Sequence, residues 1–475
     1  MSWSAIRALI LLFAGILISR LCHLRVVWVE EAYPAAAALQ ILNGKALYRD
    51  IWFDKPPLSA TTYLLWGAQA GLPLRLAGTI FIFLCCLAVF LFAREAWTER
   101  EGMTAAALLA FFLTFGVPSA VMPLAPDILM VLPHTLAVFF AWRGRALLSG
   151  LLAGIALLVN GKALFVLAAC LLWAGPVVLA GFAIPAVASL LWFGRPYYEQ
   201  VWQWGALYSA HGFAWQTGFV RTLNWAGFQA ALLLGAAVFF LRRHLAPNVS
   251  EGKQRLSPHS RSGLDLEKNW RWAGWVLLSF MAVAAGWRFF PRYYFQLLPP
   301  LVLLSARGYT LLNSKRWMVL ALLLIPLVRF GPRYIQLAFH PEAPWSDREL
   351  EQDSRAAASL MKPAGTLLVW GYRPDIFVFS RLPAGTPFLD SQPLTGVLAD
   401  RHLTNSDSVA PELAKRNRQR LIETAPMWIA DGLEPLNPSL AITQYPDLHA
   451  WLQNYEVAGH TRETVVYRRK VDQRR

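Results

Sequence analysis

Apolar residues run along this chain in blocks of about twenty, separated by short clusters rich in charge, proline and aromatic rings. A helix needs roughly 20 apolar residues to cross the ~30 Å hydrocarbon core of a bilayer. The pattern predicts eleven spans, at about 4–24, 75–93, 103–119, 127–142, 146–160, 163–176, 178–194, 222–241, 272–287, 295–312 and 317–331. The first has no small-residue cleavage site and is followed by many others, so it reads as an anchor and not a signal peptide. Beyond about residue 333 the period changes. "SDRELEQDSRAAASLMK" reads as a capped helix, "GTLLVWGY" and "MWIAD" as buried strands, and "PELAKRNRQRLIETA" as a helix between them. "PDLHAWLQNY" reads as a short helix and "YEVAGHTRETVVYRRK" as a closing hairpin. The expected architecture is an α-helical polytopic membrane protein, residues 1–332, with a small C-terminal α/β domain, residues 333–475.

Composition agrees with a membrane protein: 56% of the 475 residues are hydrophobic and the mean hydropathy is +0.39. The net charge of +15 does not point to nucleic acid, because no basic run interleaves with aromatic residues on a soluble face. Much of it falls in the loops Arg94–Glu101, Arg143–Arg145, Arg242–Arg271 and Asn313–Arg316, and the third of these carries seven Lys or Arg. Positive loops face the cytoplasm. The N-terminus is then cytoplasmic, and an odd number of spans sends the C-terminal domain outside. All four cysteines (Cys22, Cys85, Cys86, Cys170) sit in apolar segments without metal-ligand spacing.

This topology turns one stretch outward: "VWVEEAYPAAAALQILNGKALYRDIWFDKPPL", Val27–Leu58, within an outer loop at about 25–75. It holds four acids, three bases and three prolines beside a membrane anchor. Glu30 and Glu31 precede a short helix with Pro34 in its first turn and Gly44 as its stop. Acids there complement a helix dipole, but two adjacent carboxylates at a membrane surface also fit a catalytic or ligand role, since a half-desolvated acid is costly. Pro56-Pro57 stiffens the chain and fixes the direction of Asp54 and Lys55. Lys is a point-charge binder of phosphate; the alternative is a lysine snorkelling to the bilayer surface.

The order of these features resembles the first outer loop of the GT-C glycosyltransferases: an acidic pair after the first span, a short helix, "YRD" with Tyr48, "DKPPL", then a span opening on "LRL". Within that superfamily it is similar to bacterial relatives of protein O-mannosyltransferases and aminoarabinose–lipid A transferases. "APDILMVLPHTLAVFFAWRGR" resembles the family's fourth-span region and opens with Asp127. "GLLAGIALLVNGKALFVL" resembles its Gly-rich span ending in Lys, here Lys162. "FFPRYYFQLLPPLVLL" resembles a segment that more often reads "PHYF", so Arg292 stands where a His is usual.

The resemblance implies transfer of a sugar from a polyprenyl-phosphate donor to a lipid, glycan or protein acceptor on the outer face of a bacterial cytoplasmic membrane. Position by position, Glu30 takes the place of the catalytic Asp and Glu31 that of the Glu after it. A glutamate reaches about one methylene further, so either could be the base. Lys55, with Arg288 and Arg292, would contact the donor phosphate, with Asp54, Asp127 and Tyr48 in support. Asp54 and His211 could hold a divalent metal ion, although two ligands are fewer than such a site normally has. His134, further into the Asp127 span, reads as a packed, hydrogen-bonded residue. A lipid-saccharide flippase and a non-catalytic envelope-assembly protein are the rival readings.

Overall fold

The structure, a computed structural model, describes residues 1–116, 123–245, 269–312, 316–339, 348–361 and 364–470. Most of the basic loop 242–271, the loop after residue 312 and the Ser-Asp cap expected at 346–347 lie outside the described residues. Each of the eleven apolar runs carries helix. Among the described residues, four helices are long and apolar enough to cross a membrane: Trp3–Leu21, Leu72–Ala96, Val178–Ala210 and Trp317–Phe339. Pro126–Trp142, Ala146–Leu157 and Ala163–Ala174 are apolar but shorter.

Two expectations are corrected. The run 222–241 is not one straight helix, because Trp215–Phe228 and Ala230–Leu241 meet at 82°. Gln229 sits at the break, buried, with its side-chain amide donating to the Gly116 carbonyl at 2.8 Å. The stretch between the spans expected at 178–194 and 222–241 is helical as well: past a kink at Gly194 (φ 63°) the chain continues as a wide turn, Tyr198–Gln203, into Trp204–Ala210. The helix Arg316–Phe339 also runs past the domain boundary expected at residue 332.

Small residues let the membrane helices touch. A Cβ on Gly181 would lie 2.0 Å from the Leu147 carbonyl, and one on Gly150 would lie 2.0 Å from the Val178 carbonyl. These two glycines face each other where Ala146–Leu157 packs on Val178–Tyr197, the close approach that membrane helices favour.

Polar contacts gather the expected cytoplasmic loops on one side. The Ser2 backbone N–H donates to Glu99 at 3.1 Å, Arg143 pairs with Glu95 at 2.9 Å, and Arg307 reaches Glu101 at 2.8 Å. His134 is buried and accepts from the Trp275 indole at 2.8 Å, the packed role expected of it. All four cysteines are free thiols.

The C-terminal domain holds a four-stranded sheet in the order β1 (Leu367–Trp370), β2 (Trp428–Asp431), β4 (Val465–Arg469), β3 (Tyr455–His460). β1 and β2 are parallel, with Pro411–Ile422 in the crossover between them; β3 and β4 form the hairpin. The domain is tied directly to the first loop. Gln40, fully buried in the helix Val29–Leu42, accepts from Ala384 N–H at 2.7 Å, and Trp52 N–H donates to the Pro387 carbonyl at 2.6 Å. Arg381 donates to the carbonyls of Ala68 and Gly67 at 2.9 and 3.0 Å.

Gly181→Val should disrupt the glycine contact, since overpacking a tight site costs about 1–3 kcal/mol. A fall in the thermal unfolding midpoint of the detergent-solubilised protein of several degrees is expected, while Gly15→Val, whose Cβ would meet nothing within 4 Å, should leave it unchanged.

Candidate active site

The helix Val29–Leu42 starts earlier than expected, so Glu30 and Glu31 lie inside its first turn and Pro34 in its second. Consecutive residues of a helix point about 100° apart, and the two carboxylates part company. Glu31 is fully buried. It accepts two bonds from the Arg75 guanidinium, at 2.8 and 3.0 Å, one from Leu124 N–H at 2.8 Å and a longer one from Trp28 N–H at 3.4 Å. Arg75, itself 1% exposed, also donates to the Val26 carbonyl. Glu31 is therefore enclosed by donors and does not line the central cavity.

Glu30 does line it. The cavity is about 820 Å³ and lies between the membrane helices and the C-terminal domain. The Glu30 carboxylate pairs with Arg292, whose Nε stands 3.5 Å from Asp127. Asp127 in turn accepts from Asn160 Nδ2 at 3.1 Å and faces the Lys162 ammonium at 3.7 Å, which lies over the ring of Tyr293. Acid and base thus alternate along Glu30, Arg292, Asp127 and Lys162. These four come from four separate segments of sequence and meet at the ends of short helices.

Lys55 forms the other cationic edge. Pro56 caps the helix Pro57–Thr61, and this proline elbow presents the adjacent Asp54–Lys55 pair, joined at 3.0 Å. Asp54 is nearly enclosed and its N–H donates to the Tyr33 hydroxyl at 3.4 Å, while Lys55 remains open to the cavity. Tyr48 is buried behind this loop in a left-handed backbone conformation (φ 66°), where its hydroxyl donates to the Lys55 carbonyl at 2.7 Å. It holds the elbow and does not itself line the cavity.

Arg288 is 1% exposed and almost fully engaged. It pairs with Asp400 of the C-terminal domain, donates to the carbonyls of Tyr208 and His211 at 3.0 and 3.2 Å, and stacks on the Tyr208 ring at 3.5 Å. Trp287 and Phe289 on either side are left-handed, with φ of 51° and 47°. Such conformations cost on the order of 1–3 kcal/mol each and persist where surrounding contacts impose them. Arg401 donates to the same His211 carbonyl and to that of Gly212, so these contacts clamp the C-terminal domain onto the membrane helices.

The His211 ring bonds to the Leu207 carbonyl at 2.9 Å. It shares no contact with Asp54, and no three His, Cys, Asp or Glu side chains are grouped for a metal ion among the described residues. Sequence reasoning did not single out Asp390, Asp400, Tyr293 or the role of Arg75. Asp390 is buried beside Asp54 and Lys55, and burial, reinforced by the Asp54 charge, pushes its carboxyl up to about 7. An acid enclosed in the apolar run "PFLDSQPL" is the one signal that could have marked it.

A membrane-helix bundle, a charged loop after the first helix and a small α/β domain closing over one cavity make up a fold that recurs in solved structures. The chain superposes on ArnT from Cupriavidus metallidurans bound to undecaprenyl phosphate with a TM-score of 0.61 at 12% identity over 99% of both chains. It superposes on the apo state of that ArnT with a TM-score of 0.50 at 14% identity over 98% of both. Archaeoglobus fulgidus oligosaccharyltransferase in complex with Zn and sulfate is a more distant match, with a TM-score of 0.47 at 15% identity over 94% of this chain and 71% of that one. At these identities the likeness is one of fold. No family model matches the chain, and no curated protein does.

Removing one member of a buried ion pair typically costs about 3–5 kcal/mol, because its partner is left charged and unpaired. Arg75→Met should therefore lower the unfolding midpoint sharply, and the double variant Arg75→Met/Glu31→Leu should recover much of the loss. A double variant as unstable as the single one would show that the pair has no such role.

Proposed function

We propose that this chain is an inverting glycosyltransferase that moves a sugar from a polyprenyl-phosphate-linked donor to an acceptor on the outer face of a bacterial cytoplasmic membrane. One observation carries the reading: the Glu30 carboxylate shares a single cavity with Lys55, Lys162 and Arg292 between apolar helices and an outer domain. The N-terminus and the clustered loops at 94–101 and 143–145 are then cytoplasmic, and the C-terminal domain is outside.

The chemistry follows from this placement. The acceptor hydroxyl attacks the anomeric carbon on the face opposite the phosphate. A new carbon–oxygen bond forms as the bond from that carbon to the phosphate oxygen breaks. Glu30 takes the hydroxyl proton as general base, and the departing polyprenyl phosphate is left as an anion that Lys55, Lys162 and Arg292 stabilise. Arg292 is well placed to serve both ends of the reaction, since it touches Glu30 and faces Asp127. Apolar lining from Val27, Val29, Val159 and Phe165 suits the first prenyl units. Glu31 acts by position, anchoring the turn that aims Glu30, and Arg288 and Tyr48 hold the walls.

Sugar transfer from polyprenyl-phosphate donors in isolated membranes tests the reading. Glu30→Gln should lower kcat by about 10²–10⁴, the usual contribution of a general base. Lys55→Ala should raise the KM for donor. Full activity in both variants would overturn the mechanism.

Asp390 adds a pH dependence. Its proton is held below about pH 7 and lost above it, which places a second negative charge beside Lys55. The KM for the phosphate donor should therefore rise as pH increases through 7. In Asp390→Asn that rise should disappear, and a wild-type KM that stays flat from pH 6 to 8 would exclude the effect.

A further inference from the structure

The wide turn Tyr198–Gln203 has no part in the mechanism above, yet two of its residues, Val201 and Trp202, line the cavity. A helical turn widened by one residue is rare, and where it occurs it often marks a functional site. This one interrupts the apolar helix Val178–Ala210, a setting in which a polar side chain needs a partner. Gln200 is the polar side chain that it turns inward, 7% exposed.

Both ends of the Gln200 amide are used on the first loop. Its Oε1 accepts from Phe53 N–H at 2.9 Å, and its Nε2 donates to the Tyr48 carbonyl at 2.8 Å. One side chain thus closes the stretch 48–53. The loop's own bonds close a shorter ring, with Ala46 N–H donating to the Asp50 carboxylate at 2.7 Å and Asp50 N–H to the Ala46 carbonyl at 2.9 Å. Trp204, on the turn after Gln200, adds an edge-on contact with Trp52.

The cationic elbow lies immediately beyond this grip. Phe53 is fully buried, stacks on Tyr33 with ring centres 5.1 Å apart, and stands two residues before Lys55. The Tyr48 hydroxyl reaches forward to the Lys55 carbonyl. Downstream, the elbow is fixed separately, by Leu58 N–H donating to the Leu158 carbonyl at 2.8 Å. Lys55 is therefore held between two clamps, and Gln200 forms the upstream one. The same turn also packs on the second cationic corner, since a Cβ on Gly161, next to Lys162, would lie 3.5 Å from the Trp202 ring.

We propose that Gln200 is a positioning residue for Lys55. Its amide fixes the backbone that enters the elbow, so that the Lys55 ammonium faces the cavity where the donor phosphate binds. Gln200 touches no reacting atom and acts through the loop backbone alone. With the amide gone, Lys55, whose side chain is 43% exposed, swings with the loop and meets the phosphate for less of the time. The inference rests on the glycosyl-transfer reading for what Lys55 binds, and on the geometry alone for what holds it.

The test uses the full chain in phosphatidylcholine nanodiscs. The first readout needs no lipid ligand: the rate at which a succinimidyl ester acetylates Lys55, followed by mass spectrometry against the exposed Lys415 as reference. In Gln200→Met, which keeps the size and loses both hydrogen bonds, Lys55 should react faster, by about fivefold, the equivalent of one ordinary hydrogen bond. Gln200→Leu repeats the test with a different apolar shape. The second readout is affinity for undecaprenyl phosphate, which Gln200→Met should weaken by a similar factor. The double variant Gln200→Met/Lys55→Ala should bind no more weakly than Lys55→Ala, because a residue that acts through Lys55 then has nothing to position.

Unchanged Lys55 labelling in both Gln200 variants would overturn the proposal. So would losses that multiply in the double variant, unchanged lipid affinity in Gln200→Met where Lys55→Ala weakens it, or failure of both Gln200 variants to fold, each of which assigns Gln200 another role. If the wild type fails to bind the lipid, or Lys55→Ala binds it as the wild type does, the donor half of the glycosyl-transfer reading falls, while the labelling rates still decide what holds Lys55.

Discussion

The buried pair of Glu31 and Arg75 is the contact on which the arrangement of the cavity depends. It joins three segments that are distant in sequence: the first turn of the helix Val29–Leu42, the first turn of the long helix Leu72–Ala96, and Leu124, just ahead of Asp127. Burying two charges gains little net stability, because desolvation offsets most of their attraction. What it supplies is a single allowed arrangement. Each carboxylate oxygen has a named donor, so the helix cannot rotate without stranding a charge in a site that excludes water. With Glu31 fixed, the next residue along the helix must project elsewhere, and Glu30 faces the cavity.

A second layer of constraint comes from outside the membrane helices. Gln40, Trp52 and Arg381 stitch the first loop to the C-terminal domain through backbone hydrogen bonds, while Arg288 and Arg401 stitch the same domain to the Gly286–Phe289 turn and to the end of Trp204–Ala210. The cavity is thus closed at two places by contacts whose partners lie on different sides of it. Closure of this kind matters because Coulomb forces between the cavity charges grow as water is excluded. Helices that face lipid could supply the apolar part of the enclosure alone, but the polar lid needs the sheet domain.

Much of this was legible in the chain itself. The eleven apolar runs all carry helix, the strands β1 to β4 fall where the pattern put them, and the first loop contributes Glu30, Asp54 and Lys55 to the cavity. The failures share a physical origin. Hydrophobic periodicity reports which residues are apolar, not where a helix bends, so the break at Gln229 depended on a distant acceptor, the Gly116 carbonyl. Adjacent identical residues are a harder case. Glu30 and Glu31 are the same side chain at neighbouring positions, and their separation into an open and an enclosed carboxylate is decided by Arg75 and Leu124, well downstream. The pairing of Arg292 with Glu30 spans 262 residues, and no local pattern encodes it.

That last pairing also bears on where this chain departs from the motif it resembles. A glutamate in place of aspartate moves the carboxylate outward by about one methylene, and Arg292 stands where a histidine is more common. The two changes fit each other. The longer acid reaches a guanidinium whose planar fork can face Glu30 on one side and Asp127 on another, a division that one imidazole could not serve with permanent charge. Lys162 then balances the far side of Asp127. An incoming phosphate at Lys162 and Arg292 would meet cations already turned toward carboxylates, so binding it means displacing Glu30 and Asp127 from those cations. The carboxylate displaced in that exchange includes Glu30, and the base role proposed for it requires that release.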